Sequence, residues 1–428
     1  MRNSAVIVGL AAVALAFAGA APALADSYAP GTTLATLNLE ANPQDAAIAA
    51  NGQTAYVTTL DGETVDVIAL SSLSVTSTIQ LGQQAGAVKL TSSDHDLLVT
   101  EAQRNAVAVV DLGTEETSKT IAVGSDPIAL ATVPGTTKFV TSNYGSGTVT
   151  LADRSSGKSK QIAVGAKPWG IVVAPNGKFA YVAIQSSNSI AEIDLASATV
   201  TRTMPAGSRP AYLAMAPDGS GLYVADAGDG SVSTIDVGTG TLTNSVSVGG
   251  KPWGIDVSPS GDFLYICDNS GNRLVIVDTR SDSVVSSTDT GVNPDFVDAS
   301  PSGNVVVVPN STSNTVSILA GADPDESSSS QGTTSGDQGS SDTDQGSAVS
   351  GQTDGSGSNG DYGNAGTNAT NGNYGIGTVD GIPADPDASL DSGPGSVIAL
   401  WLIIAYFLIC GIAIIILASR PRQGDPRN

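Results

Sequence analysis

The sequence predicts an all-β protein: a seven-bladed β-propeller closed by an N-terminal strand, then a disordered acidic linker and one C-terminal transmembrane helix. Three observations carry this reading. Proline returns at Pro127, Pro168, Pro210, Pro252 and Pro294, in steps of 41, 42, 42 and 42 residues. Each interval holds four short β-branched runs bounded by Gly, Pro, Asn or Asp, the composition of strands and turns. Two apolar runs without a charge, residues 6–21 and 397–418, bracket the repeats.

Residues 1–25 read as a secretory signal. Arg2 supplies the charge, residues 6–21 the apolar stretch, and Ala23-Leu24-Ala25 the small-x-small cleavage pattern. Residues 26–320 form the propeller. Its opening segment, 32–39 (TTLATLNL), resembles the run before Pro252 (TLTNSVSV). It is therefore assigned to the outer strand of the last blade, which otherwise ends near Leu319 after three strands. Closing the ring in this way removes exposed sheet edges.

Glycine marks the period a second time, at Gly82, Gly124, Gly165, Gly207, Gly249 and Gly291. Pro43 opens the first unit, and in the second Gly86 stands where the proline would fall. The phrase KPWG returns at 167 and 251, 84 residues apart, which is two repeats. Within a unit, an apolar run after the proline is followed by a turn such as PNG or PDG. Then come a run ending in YV, a run ending in Asp, and a Ser/Thr/Val-rich run. Four strands per ~42 residues is a propeller blade, and the three-and-four spacing of helical solenoids is absent.

The phrases YVTT at 56–59, V-x-V-I-D and P-x-x-I-x-x-x-P-x-G resemble the YVTN-repeat β-propeller family. The resemblance covers residues 32–319. It implies the seven-bladed fold, in a group that includes surface-layer proteins, lactonase-like enzymes and propellers with redox cofactors. It does not fix an activity.

Residues 321–395 hold 12 Asp or Glu and no Lys or Arg. They are expected to be a disordered stalk, reaching about 45–50 Å as a coil. Residues 396–418 are expected to be a transmembrane helix, since 22 apolar residues span about 33 Å. Arg420, Arg422 and Arg427 follow, so residues 419–428 are assigned to the cytoplasm and the propeller to the outside. The two cysteines, Cys267 and Cys410, fall on opposite sides of the stalk and read as small buried residues, not as a disulfide.

Propellers bind ligands where the loops before the inner strands converge. Here those loops place Lys167, Arg209 and Lys251 at equivalent positions of three consecutive blades, beside Trp169, Tyr212, Trp253 and Phe296. Cations with flat rings suit an anionic ligand, a glycan or an acidic peptide. The competing reading is that the rings pack between blades and the cations are solvated.

No catalytic group, metal site or cofactor site is expected. His95 is the one histidine, which excludes a His-rich copper centre and leaves no Ser-His-Asp group. Asp111, Asp194, Asp236 and Asp278 recur at the ends of third strands and read as turn formers. The segments DAGDGS at 226 and DNSGNR at 268 are oxygen-rich but lack a full calcium ligand set. A formal charge of −23 argues against nucleic acid. The expected partners are a cell-envelope protein or polymer, and the membrane through one helix. The expected role is a membrane-anchored binding or scaffold module, with a lactonase or cofactor-dependent oxidoreductase as the alternative.

Overall fold

The computed structural model describes residues 28–39 and 41–322. The expected signal segment, transmembrane helix and tail, and the stalk from residue 323 onward, lie outside the described residues. Among the described residues no helix is long and apolar enough to cross a membrane.

Seven four-stranded antiparallel sheets form, each built from four consecutive strands except the last. The inner strands are Pro43–Ile48, Val88–Leu90, Pro127–Thr132, Pro168–Val173, Pro210–Met215, Pro252–Val257 and Asp298–Ala299. Each neighbours the next, and the seventh neighbours the first, so the ring is closed. Proline suits the first residue of an edge strand, where no ladder N–H is needed. In blade 2 the register puts Ala85, not Gly86, at the proline's place: Val88 pairs with Val99 as Ala46 pairs with Val57.

The seventh sheet is completed by Thr33–Asn38, which pairs antiparallel with Thr315–Ala320 through Thr36↔Ser317 and Leu37↔Val316. The expected closing strand is thus in place. The chain continues past it to Ala322, whose backbone N–H donates to the Tyr265 hydroxyl at 2.7 Å.

The repeat also sets the packing. Seven apolar clusters each join two neighbouring sheets, and one of them joins the last sheet to the first. A blade therefore has no core of its own. It is stable only when flanked on both sides, which is why a ring and not an arc is the natural end state.

Turns between first and second strands use the sequence signal directly. In Ala174-Pro175-Asn176-Gly177, the Gly177 N–H reaches the Ala174 carbonyl at 2.8 Å with φ +67°, a value costly for any side chain but glycine's. The recurring aspartates act as expected. Asp111 Oδ1 accepts from Gly113 and Thr114 N–H at 2.8 and 2.9 Å, and Asp278 Oδ1 from Arg280 and Ser281 at 2.9 and 2.8 Å.

Candidate functional site

The loops before the inner strands gather at one mouth of the ring. In every blade that has the proline, one repeated bond holds the loop: the carbonyl of the residue before the proline accepts from the first residue after the second strand. Gln185 N–H reaches Lys167 O at 3.1 Å, Ala227 reaches Arg209 O at 3.1 Å, and Asn269 reaches Lys251 O at 3.0 Å. Asn188 Oδ1 of blade 4 takes the Arg209 N–H of blade 5 at 2.9 Å, and Asn272 Oδ1 of blade 6 takes the Asn293 N–H of blade 7 at 2.9 Å. Lys167 and Arg209 sit in left-handed backbone, at φ 57° and 52°. The three cations expected at this rim are therefore on equivalent, pinned loops. All three are half-buried. Lys251 Nζ lies 4.6 Å from the Trp253 ring centroid, and Lys167 and Arg209 are likewise engaged by other groups.

The four rings expected at the rim converge across the mouth, where they pack on one another. Trp169 of blade 4 meets Trp253 of blade 6 at 5.0 Å between centroids, edge to face. Tyr212 of blade 5 meets Phe296 of blade 7 at 5.3 Å in the same manner. Tyr144 of blade 3 extends the set onto Trp169 at 5.4 Å. Edge-to-face contact is the preferred aromatic geometry. The result is a roof over the lumen.

The alternation of blades explains KPWG. In blades 4 and 6 a glycine follows the tryptophan. A Cβ on Gly170 would stand 2.6 Å from Tyr212 Cα, and one on Gly254 would stand 2.7 Å from both Phe296 Cα and Asp295 O. Each glycine makes room for the backbone that carries the next blade's ring. Gly254→Ala is therefore expected to cost about 1–3 kcal/mol by overpacking. A lower Tm without loss of β-sheet circular dichroism checks it; an unchanged Tm would mean the roof yields freely.

Second-strand side chains anchor the roof from the neighbouring blade. The Ser142 hydroxyl donates to the Trp169 carbonyl. The Cys267 thiol donates to the Phe296 carbonyl at 3.1 Å, and burial pushes its pKa well up. Cys267 is thus buried and unpaired, as expected, and also a donor.

Below the roof lies a lumen whose charged lining was not singled out from the sequence. The column four residues after the proline reads Ala47, Lys89, Ala131, Val172, Ala214, Asp256 and Asp298 around the ring. Asp45, two residues after its proline, joins the charged members. Lys89 Nζ stands 3.8 Å from Asp45 Oδ1 and 4.2 Å from the Phe296 ring centroid. Burial is the main cause pushing Asp45 up to about 6 and Asp256 up to about 7, the latter helped by the charge of Asp298. Asp298 is raised by burial as well. The signal in the sequence was a charged residue breaking an apolar inner strand, as in WGIDVS.

The remaining candidates serve turns and loops, and Asp268 Oδ1 accepts from the Lys251 N–H of the rim at 2.9 Å. His95 is exposed on the turn between the first and second strands of blade 2. Asp226 and Asp268 are fully buried: Asp226 accepts from the Ser233 hydroxyl at 2.5 Å, and Asp268 binds Arg273 Nε at 2.9 Å. Both pin loops from within. Among the described residues no three His, Cys, Asp or Glu side chains gather in a way that could hold a metal ion.

The architecture defines the class: a closed seven-bladed β-propeller with a roofed lumen. A family model described as a YNCE-like β-propeller matches residues 4–230, just over half of the chain. The chain belongs to the YNCE-like β-propeller family. A second model, a seven-bladed lactonase propeller, matches residues 192–289. Among solved structures, a chain of Kuenenia stuttgartiensis hydrazine synthase is 22% identical, with a TM-score of 0.61, covering 69% of this chain and 99% of that one. At that identity the likeness concerns the fold alone. Since 1748 solved chains match, fold similarity does not select an activity. No curated protein matches.

Proposed function

We propose that the chain is an extracytoplasmic binding module, anchored by residues 396–418, whose roofed mouth docks an anionic component of the cell envelope. The observation that carries the reading is the convergence of Lys167, Arg209 and Lys251 on equivalent loops of blades 4 to 6, around the Trp169–Trp253 pair. In a chain with charge −23, three cations at equivalent places on one rim are the groups an anionic partner would meet. The cations supply charge-assisted contacts and Trp253 adds an apolar edge.

Cosedimentation of the full-length protein with isolated envelope fragments tests the reading. The Lys167→Ala/Arg209→Ala/Lys251→Ala variant is expected to bind about tenfold or more weakly, and added salt to weaken the parent in the same direction. Equal binding by parent and variant would remove the rim from consideration.

A second reading, a lactonase-type hydrolase, is favoured by the lactonase-model match and by the raised carboxylates of the lumen. Turnover of simple lactones that disappears in Asp256→Asn, with the triple rim variant still active, would move the function from the rim into the channel.

A further inference from the structure

Below the aromatic roof the lumen holds a cavity of about 160 Å³, to which all seven blades contribute. That is roughly the volume that accepts a benzene-sized molecule. Half of the wall is apolar, with Ala129, Ile171, Val172 and Ala214 from blades 3, 4 and 5. The other half carries Asp256, Asp298, Asp45 and Lys89, from blades 6, 7, 1 and 2 in turn.

The carboxylates are held rigidly by backbone. Asp45 Oδ2 accepts from Val88 N–H at 2.9 Å, Asp256 Oδ2 from Ala299 at 2.9 Å, and Asp298 Oδ2 from Ile48 at 2.7 Å, each on the following blade. Asp298 Oδ1 takes no hydrogen bond among the described residues. The Lys89 ammonium is held less completely. Its contacts are the 3.8 Å approach to Asp45 and the face of Phe296, and no hydrogen bond reaches it among the described residues. Its side chain is 27% exposed although it lies inside the ring, because it faces the cavity.

Two needs are therefore unmet inside one cavity. Three carboxylates face a single ammonium, and that ammonium lacks acceptors for its N–H groups. An anionic ligand would meet the carboxylates. An apolar one would strand all four charges. A simple alkylamine would answer the carboxylates and leave Lys89 unanswered.

We propose that the cavity binds a small amino alcohol as its cation, the ligand ammonium between Asp256 and Asp298 and its hydroxyl oxygen accepting from Lys89. The carbon skeleton lies against the apolar half of the wall, under Tyr212 and Phe296. The charged or titratable groups that face it are Asp45, Lys89, Asp256, Asp298 and the Tyr212 phenol. Because the cation favours ionised carboxylates, its uptake near neutrality releases a proton, and its affinity falls as the pH drops below about 7.

The test is calorimetric titration of ethanolamine into the full-length protein at about pH 8, with propylamine and ethylene glycol as partial probes. Ethanolamine is expected to bind saturably. Propylamine, lacking the acceptor, and ethylene glycol, lacking the charge, are each expected to be about tenfold weaker or more. Asp298→Asn retains an acceptor for the Ile48 N–H and removes the charge. It is expected to lower ethanolamine affinity at least about tenfold while remaining folded by circular dichroism. Lys89→Met, a variant independent of the carboxylates, is expected to erase the preference for ethanolamine over propylamine. The proposal is overturned by no saturable binding at about 0.1 M, a hundred times a millimolar Kd. Undiminished affinity in Asp298→Asn, or a preference that survives Lys89→Met, would overturn it equally.

Discussion

Deletion of residues 28–39 is expected to cost the propeller most of its stability, leaving a protein that aggregates or unfolds well below the parent's Tm. The segment supplies the fourth strand of the last blade. Its backbone is bonded at both ends: Gly31 N–H to Ala320 O at 2.8 Å, Ala320 N–H to Thr32 O at 2.8 Å, and Leu39 N–H to Asn314 O at 2.9 Å. Its side chains matter as much. Leu34, Leu37 and Leu39 pack with Val316, Ile318 and Ile68 in the cluster that joins the last blade to the first. Burying an aliphatic side chain of this size is worth about 1.5–3 kcal/mol. Leu39 is buried and Leu34 and Leu37 are half-buried, so the three contribute less than three full burials but still a substantial part of the about 5–15 kcal/mol that holds a typical domain. The deletion also bares the edge of Thr315–Ala320, a ready template for pairing with another chain. Thermal unfolding with light scattering measures both effects. A peptide of residues 30–39 added in trans is expected to restore part of the loss by adding back the strand. A deleted protein with the parent's Tm would show that closure lies elsewhere.

This strand was legible in the sequence because a repeat protein is nearly one-dimensional: a count of prolines and a leftover strand fix the ring. The rim was legible for the same reason. Lys167, Arg209 and Lys251 share a repeat position, and a repeat position means a shared place in space. What the sequence did not show was that Trp169 and Trp253 meet across the mouth, skipping blade 5. That contact depends on ring size and on the room left at Gly170 and Gly254, which periodicity does not encode. The lumen was missed for a different reason. Asp45, Lys89, Asp256 and Asp298 are far apart along the chain, and each breaks the pattern of only one strand. Stacked by repeat position, three of the four fall in a single column otherwise filled by alanine and valine. A charged residue in a lumen-facing column is the signal that could have found them.

The same lumen predicts that the propeller loses stability as pH rises from about 5 to about 8, with Asp298→Asn reversing much of that loss. The ordinary carboxylate range is near 4 in the unfolded chain. Burial lifts Asp45 to about 6 and Asp256 to about 7 in the folded state, with Asp298 raised beside them. A raised carboxylate binds its proton more tightly when folded. Its favourable contribution is complete below pH 4 and disappears as pH passes through the folded value. A shift of the size found at Asp256 corresponds to about 2–4 kcal/mol over that window. Two opposing sets of groups act outside it. Turn carboxylates such as Asp111, Asp194 and Asp236 are lowered by backbone N–H or side-chain hydroxyl hydrogen bonds, so their stabilisation is lost only as pH falls below about 4. Lys89 is raised by its carboxylate neighbours against burial, and its contribution persists until pH rises through that raised value, above the ordinary lysine range. Between pH 5 and 8 the raised carboxylates therefore govern the slope: the three of the lumen, together with Asp226, which burial lifts to about 6, and Asp295, also raised by burial. Asp298→Asn removes one like charge beside Asp256 while an amide oxygen can still accept from the Ile48 N–H. At pH 8 a gain of about 4–8 °C in Tm is expected, with little change at pH 5. Unfolding curves of parent and variant at both pH values decide the matter. A parent curve that is flat, or that rises toward pH 8, would mean that the three carboxylates are ionised at no cost, and the lumen would then be open to water in a way that a sealed charge cluster is not.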